Sequence, residues 1–229
     1  MEGRQGQGRV EGWGLRLEFV KDLYIGAEAE ISLCDWLGVK VVVKRRRSKG
    51  YRRRELDKRI IAARTTREAL MLRRARSKGV LTPFVLHANP VEGVIIMQYI
   101  EGPTANELAS KAPLDELRPV FEGIGRSLAI LHGNNIAHGD PTTSNVILRG
   151  ADVFIVDFGL ATQTSEVEQM GEDLYVLEMA LRSAHHARSR ELFRHFVSGY
   201  EGELGDASSA ILKRLCEISR RGRYVERVS

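Results

Sequence analysis

Asp140, Asn145 and Asp157 carry oxygen donors at spacings that suit one chemistry, the transfer of a phosphoryl group from a nucleotide. That reaction asks a protein for little covalent work. It needs metal ions to bridge the phosphates, a cation on their oxygens and a carboxylate to position the acceptor. Asp140 ends the run His138-Gly139-Asp140, where a carboxylate can accept a hydrogen bond from an attacking hydroxyl or water. Asn145 follows through Pro141-Thr142-Thr143-Ser144 and offers an amide oxygen, a hard ligand suited to Mg²⁺. Asp157 comes after the apolar strand Val153-Phe154-Ile155-Val156 and before Phe158-Gly159, so it is expected at a rigid strand end as the second metal ligand. An isolated Asp-Phe-Gly is a common exit from strand to turn; the three side chains together point to a site.

The cation for the phosphates is expected from Lys44, which closes Val39-Lys40-Val41-Val42-Val43-Lys44. Lys40 is its rival, and the three valines leading into Lys44 favour the latter. Glu68, the only acid between Asp57 and Glu92, is the natural ion-pair partner that would hold Lys44 in place; the alternative is a surface carboxylate paired with Arg64 or Arg67. Ile25, Gly26, Ala27, Glu28 and Ala29 form a candidate phosphate-covering loop with a single glycine. Glu28 and Glu30 would repel phosphates unless a metal or a basic residue intervened, and neither is assigned a role. Val94 to Ile100 is expected to feed the base pocket, with Met97 facing it and the backbone of Gln98 to Ile100 pairing with adenine. ATP and Mg²⁺ are the implied cofactors.

These side chains need two kinds of support. Residues 1 to 14, rich in Gly, Gln and Arg, read as a disordered leader. Apolar or alternating runs at 15 to 20, 29 to 34 and 38 to 43 predict short antiparallel strands. A basic helical stretch follows over 53 to 77, expected in two pieces. The runs at 84 to 88 and 91 to 100 then complete a sheet of about five strands, and Glu101-Gly102-Pro103 reads as a connector. From Leu114 the period becomes helical: Leu117, Val120, Phe121, Ile124, Leu128 and Leu131 form the buried stripe of a long helix leading into His138. Further helices are predicted over 172 to 182, 187 to 200 and 207 to 219. The fold class is α+β, a small sheet-based lobe over 15 to 100 followed by a helical lobe over 101 to 229.

Thirteen residues, 160 to 172, separate Gly159 from Asp173. A protein kinase normally places a long activation loop, an Ala-Pro-Glu motif and a peptide-docking platform in that interval. Gly139 stands where regulated kinases carry the arginine that pairs with a phosphorylated loop, so control by partners is expected instead. Asp173 is a candidate for bracing the catalytic loop, or else a plain acid at a helix start. His185, His186 and His195 read as solvated helix residues rather than metal ligands, because no acid or cysteine completes a set.

Composition narrows the class. Residues 44 to 78 hold sixteen Lys and Arg against Glu55, Asp57 and Glu68, a local charge of +13 against an overall +5. A field that strong steers polyanions, and charge alone is met equally by contact with nucleic acid and by a plain solvated basic face. Cys34 and Cys216 lie far apart and match no metal spacing, so free thiols in a reducing compartment are expected. No apolar run approaches the roughly 20 residues of a membrane helix, and no apolar signal segment follows Met1-Glu2-Gly3-Arg4, which together predict a cytoplasmic protein without a membrane partner.

Taken together, Gly26-Ala27-Glu28-Ala29, Lys44, Lys49-Gly50-Tyr51-Arg52, Leu56-Asp57, Thr66-Arg67-Glu68-Ala69, His138-Gly139-Asp140, Asn145, Asp157-Phe158-Gly159, Asp173-Leu174-Tyr175 and Arg221-Gly222-Arg223 resemble the small atypical kinase family of the KEOPS complex, also called Kae-associated or piD-type. The resemblance runs from about residue 22 to 224. It implies a reduced two-lobed protein-kinase-like fold and a partnership with the Kae-type protein and other KEOPS subunits that make threonylcarbamoyladenosine in tRNA. It also implies activity chiefly as an ATPase, with serine/threonine autophosphorylation. The basic small lobe and Arg220, Arg221 and Arg223 would then contact tRNA. Departures are Glu168-Gln169-Met170 before the Asp-Leu-Tyr element and a basic tail that stops at Tyr224-Val225-Glu226.

Three other readings compete. Small-molecule phosphotransferases of the aminoglycoside or choline type share the His-Gly-Asp loop but insert acceptor-pocket helices for which this chain has no room. A non-catalytic nucleotide-binding scaffold is disfavoured by the full set Lys44, Asp140, Asn145 and Asp157. A RIO-type kinase would carry its own loop motifs and a further N-terminal domain.

Overall fold

The computed structural model describes the backbone of residues 9–10 and 17–225 and the side chains of 17–221. Apart from Arg9–Val10, the expected leader lies outside the described residues, as do the side chain of Arg223 and the four residues after Val225. The chain divides into two compact units, one of residues 1–73 and 83–99, the other of residues 74–82 and 100–229.

The first unit is built on an antiparallel sheet. Its strands are β1 (Arg9–Val10), β2 (Leu17–Ile25), β3 (Ala29–Trp36), β4 (Val39–Arg46), β5 (Val85–Asn89) and β6 (Val94–Gln98), in the order β1-β2-β3-β4-β6-β5. The two-residue β1 adds a sixth strand to the expected five. Period-two alternation in β4 sends Val41 and Val43 into a core with Leu17, Cys34, Val94 and Ile96. The same alternation turns Lys44 and Arg46 to the other face.

Helix α1 (Arg54–Ser77) runs unbroken for 24 residues, not in two pieces. It contains neither Gly nor Pro and is dominated by Arg, Ala, Leu and Glu, all strong helix formers. The mid-helix pair Thr65-Thr66 is accommodated because each hydroxyl donates back to a carbonyl one turn earlier, Ile61 at 2.8 Å and Ala62 at 3.0 Å.

The second unit opens with α2 (Ala105–Lys111), which the sequence reading missed. Its signal was a capping box: Thr104 Oγ1 accepts from the Glu107 amide and Glu107 returns the bond to the Thr104 amide. Helix α3 (Leu114–Gly133) buries the expected stripe, with Val120 only half-buried. It packs on α5 (Ser189–Leu204), where Gly125 faces the Phe196 carbonyl and Gly199 faces the Glu122 carbonyl so closely that a Cβ at either would collide with backbone.

Short strands β7 (Ile136–Ala137), β8 (Val146–Arg149), β9 (Asp152–Ile155) and β10 (Thr162–Gln163) carry the loops of interest. β8 pairs with β9 and β7 with β10. Helices α4 (Val167–Ala184) and α6 (Ser208–Val225) complete the unit. Because α4 starts at Val167, only residues 160 to 166 lie between Gly159 and the next helix, and two of those are β10. Among the described residues no helix is long and apolar enough to cross a membrane.

Candidate active site

In the first unit, Lys44 is 6% exposed and donates to Glu68 Oε1 at 2.7 Å. Arg46, two residues on and so on the same face of β4, donates from Nη2 to Glu68 Oε2 at 2.6 Å. Glu68 therefore holds two cations, and its side chain is 1% exposed, which replaces the alternative of a surface carboxylate. The role of Arg46 was missed in the run Lys44-Arg45-Arg46-Arg47; period-two alternation from Lys44 was the available signal. Lys40 is exposed and stands over the Tyr99 ring, 6.0 Å from its centroid.

Ile25 to Ala29 form the turn between β2 and β3, closed by the Gly26 amide donating to the Ala29 carbonyl at 3.0 Å. Glu28 sits in that turn with Arg64 at 3.1 Å and Lys49 at 3.6 Å, so basic residues do intervene. Partial burial pushes the Glu28 carboxyl upward, but Arg64 and then Lys49 outweigh it and hold the group below the ordinary glutamate range. Glu30 lies 3.5 Å from Arg47.

Met97 is buried at the end of β6. The Gln98 amide was expected to be available to adenine; instead it donates to the Phe84 carbonyl at 2.9 Å, while the Gln98 side-chain oxygen accepts from the Phe84 amide. The ladder beyond β5 takes that donor, leaving Tyr99 and Ile100 as the segment past the strand. Ile100 is buried at the start of the second unit.

The second unit brings the oxygen donors together. Asp140, half-buried, accepts from Asn145 Nδ2 at both its backbone carbonyl and Oδ2, each at 2.9 Å. With its amino group committed to Asp140, Asn145 presents its carbonyl oxygen away from that loop. Asp157 follows β9 in a left-handed conformation, φ 59°, which Asp tolerates better than most residues. Its Oδ1 accepts from the Gly159 amide at 3.1 Å. No group of three or more His, Cys, Asp or Glu residues that could hold a metal occurs among the described residues. A pair of one amide and one carboxylate oxygen nevertheless fits Mg²⁺, which usually takes one or two protein carboxylates and completes its shell with phosphates and water.

Asp173, on α4, reaches the loop from beneath. Its Oδ2 accepts from the His138 amide at 2.6 Å and its Oδ1 from the Gly139 amide at 2.7 Å. His132 adds a contact from Nε2 to Oδ2 at 3.1 Å, and its Nδ1 lies 2.7 Å from the Tyr200 hydroxyl. Burial, then the nearby Asp173 charge, keeps the Tyr200 phenol protonated well above its ordinary range. A protonated phenol donates to Nδ1, which places the His132 proton on Nε2, facing Asp173. The sequence signal for His132 was its place at the end of the α3 stripe.

His138 is fully buried, and desolvation drives its basicity below the ordinary histidine value despite the opposing pull of Asp173. The neutral ring suits its neighbours: Nδ1 accepts from the Asp140 amide at 3.2 Å, and Nε2 lies 3.2 Å from the Val156 carbonyl to which it donates. Gly139 has φ 83°, and a Cβ there would lie 2.7 Å from the Leu160 carbonyl oxygen. The short segment after Gly159 thus occupies the space a side chain would need.

A sheet-based unit with a buried lysine–glutamate pair, followed by a helical unit with an acidic loop and an Asp-Phe-Gly turn, defines a protein-kinase-type domain. The protein kinase domain model matches residues 23–185. The chain is 40% identical over 211 residues to "KEOPS complex subunit Bud32" of Pyrococcus abyssi, covering 88% of this chain and 95% of that one. It is 40% identical to "Probable serine/threonine-protein kinase BUD32 homolog" of Archaeoglobus fulgidus, covering 90% and 98%. It is also 39% identical to "Probable bifunctional tRNA threonylcarbamoyladenosine biosynthesis protein" of Methanothermobacter thermautotrophicus, where the match covers 88% of this chain but 36% of the longer protein. The chain belongs to the Bud32 family of the protein kinase fold. Among solved structures, the Rio2 kinase-ADP/Mg²⁺-phosphoaspartate complex of Chaetomium thermophilum matches with a TM-score of 0.59 at 13% identity, covering 88% of this chain and 70% of that one, a likeness of fold. Cys34 and Cys216 are free, Cys34 buried and Cys216 exposed.

Proposed function

We propose that this protein is a Mg²⁺-dependent ATPase and atypical serine/threonine kinase that acts within the KEOPS complex in threonylcarbamoyladenosine modification of tRNA, in the cytoplasm. The observation that supports the chemistry is the pair of hydrogen bonds from Asn145 Nδ2 to Asp140, which favours a reading with the Asn145 oxygen on the metal and the Asp140 carboxylate toward the acceptor. In this reading Lys44, held by Glu68, supplies the cation for the phosphates, and the backbone from Ile25 through Gly26, Ala27 and Glu28 to Ala29 covers them. Met97 and Ile100 line the adenine side. Asn145 and Asp157 would hold the metal, which would supply neutralisation of the charge that develops on the phosphates. Asp140 orients the attacking hydroxyl or water and accepts its hydrogen bond.

The short interval from Leu160 to Glu166 supports hydrolysis or self-phosphorylation, since it offers no length for a peptide platform. Partnership with a Kae-type protein and other KEOPS subunits draws on the likeness to the KEOPS complex subunit of Pyrococcus abyssi. Contact with tRNA draws on the basic face of α1, where Arg54, Lys58, Arg59, Arg67, Arg73 and Arg74 are exposed. Arg220 and Arg221 add to it from α6, although Arg221 is also paired with Glu168.

The test is Mg²⁺-dependent ADP release by the purified chain, alone and with the Kae-type partner and tRNA. Asp157→Ala and Asp140→Ala should each lower turnover about a hundredfold or more while the circular dichroism spectrum is retained. Unchanged turnover in Asp157→Ala would overturn the assignment of the metal ligands.

A further inference from the structure

Five cations, Arg46, Arg47, Lys49, Arg52 and Arg64, line a solvent-open cleft in the first unit, together with Ile60, Ile61 and a single acid, Glu28. Such a ratio in a concave site is unusual, because like charges gathered in a cleft repel one another unless something offsets them. The chain's own carboxylates do so incompletely. Glu28 is shared between Arg64 and Lys49, and Glu68 between Arg46 and Lys44. Arg47 reaches Glu30 only at 3.5 Å, with both side chains largely exposed.

The cleft is also built rather than incidental. Asp57, 2% exposed, accepts from Ser48 Oγ at 2.6 Å, from the Lys49 amide at 3.2 Å and from Arg52 Nη1 at 3.4 Å. That knot ties the segment between β4 and α1 into a fixed path and sets Lys49 and Arg52 on the cleft wall. Ser48 first, with the Lys49 amide and Arg52 behind it, holds the Asp57 carboxyl below its ordinary range, so the knot stays intact at neutral pH. The Arg47 amide donates to the Glu28 carbonyl at 2.9 Å, which joins this wall to the β2–β3 turn.

One atom lacks a partner. The Arg46 side chain is 7% exposed, its Nη2 is held by Glu68, and its Nε is buried with no hydrogen-bond acceptor. A buried donor on a cation, left without a partner, costs about 1–3 kcal/mol or more, and a bound anion is the simplest remedy. We propose that this cleft is a phosphate-binding site, accepting a doubly charged phosphate group, either inorganic phosphate or a terminal phosphomonoester, on Arg46, Lys49 and Arg64. A dianion with tetrahedral oxygens can accept from several of these donors at once, which a halide or a single carboxylate cannot do. The site lies wholly within the first unit; it shares Glu28 with the turn assigned to the nucleotide phosphates, but its three proposed ligands, Arg46, Lys49 and Arg64, are not among the residues assigned to nucleotide and metal, so loss of phosphate binding in Arg64→Gln and loss of turnover in Asp157→Ala are separate outcomes.

Isothermal titration of the intact chain with inorganic phosphate tests this, at constant ionic strength held with chloride and with a non-hydrolysable ATP analogue and Mg²⁺ present. One equivalent should bind. Affinity should fall about tenfold or more in Arg64→Gln, be largely restored in Arg64→Lys, and be unchanged in Lys213→Gln on α6. No binding by the wild-type chain, or binding that Arg64→Gln leaves unchanged, would overturn the site. Melting curves of the phosphate-free variants keep a folding defect separate from lost binding. Competition by short RNA identifies the source: displacement of phosphate only by 5′-phosphorylated RNA places a terminal phosphate there. Displacement by 5′-hydroxyl RNA of the same sequence would overturn the terminal-phosphate assignment in favour of backbone phosphates.

Discussion

Asp173 on α4 accepts the backbone amide of His138 at 2.6 Å and, through its other oxygen, that of Gly139 at 2.7 Å. A buried carboxylate thus sets the path of the loop that ends in Asp140, from a helix 34 residues further along the chain. Asp173→Asn keeps the shape but turns one acceptor into a donor facing an N–H group. Stability should fall by about 2–4 kcal/mol, read as a lower urea midpoint, and ADP release should fall with it. An unchanged midpoint would remove Asp173 from this bracing role.

Glu68 holds Lys44 and Arg46 at once. Lys44→Met therefore leaves the carboxylate partnered by Arg46, whereas Glu68→Ala leaves two buried cations facing each other. Denaturation should show Glu68→Ala destabilised by about 3–5 kcal/mol and Lys44→Met by clearly less, although both should lose turnover. Equal destabilisation would mean that Arg46 does not contribute.

His138 is buried and neutral, and burial holds its basicity below the ordinary value of 6.5; His185 shares that direction through burial and the nearby Arg188. A folded-state pKa below the unfolded one means that the unfolded chain binds more protons under acid conditions. Stability should be level above pH 6.5 and decline as pH falls below it, because protonating His138 would set Nδ1–H against the Asp140 amide. Urea titrations between pH 8 and pH 5 should show this slope, and it should be shallower in His138→Asn.

Gly139→Arg restores the residue found in regulated kinases, but the position has φ 83° and Leu160 fills the space beside it. A left-handed conformation costs an L-residue about 1–2 kcal/mol before any clash. The variant should melt several degrees lower and show reduced ADP release. Wild-type melting would mean that the segment after Gly159 moves aside freely.

Reversing Arg54, Lys58 and Arg59 to Glu should weaken tRNA retention and flatten its dependence on salt, reducing the log–log slope by about two. Filter binding at several salt concentrations measures this. Arg52 is the poorer choice, since it is already engaged with Asp57. An unaltered slope would make this face a merely solvated one.

The candidate residues for phosphoryl transfer could be picked out because that reaction constrains residue type and local spacing: Asp140 and Asn145 are near neighbours in the chain, and Asp157 follows an apolar strand. The strands and the long α3 stripe were legible for the same local reason, hydrophobic period. The continuity of α1 was not, because it depends on Thr65 and Thr66 bonding back to Ile61 and Ala62 instead of breaking the helix. The availability of the Gln98 amide was misjudged because the pairing of β5 with β6, and the Phe84 carbonyl beyond it, is a contact between segments.

By itself, then, the chain determined which side chains could perform the reaction and which periodic segments could carry them, since both follow from residue types a few positions apart. Only the tertiary structure decided that Glu68 grips two cations, that Asp173, His132 and Tyr200 join beneath the loop, and that Gly139 is hemmed in by Leu160. Those outcomes depend on burial and on distances between residues far apart in sequence, where desolvation strengthens each charged contact and leaves little room to exchange one partner for another.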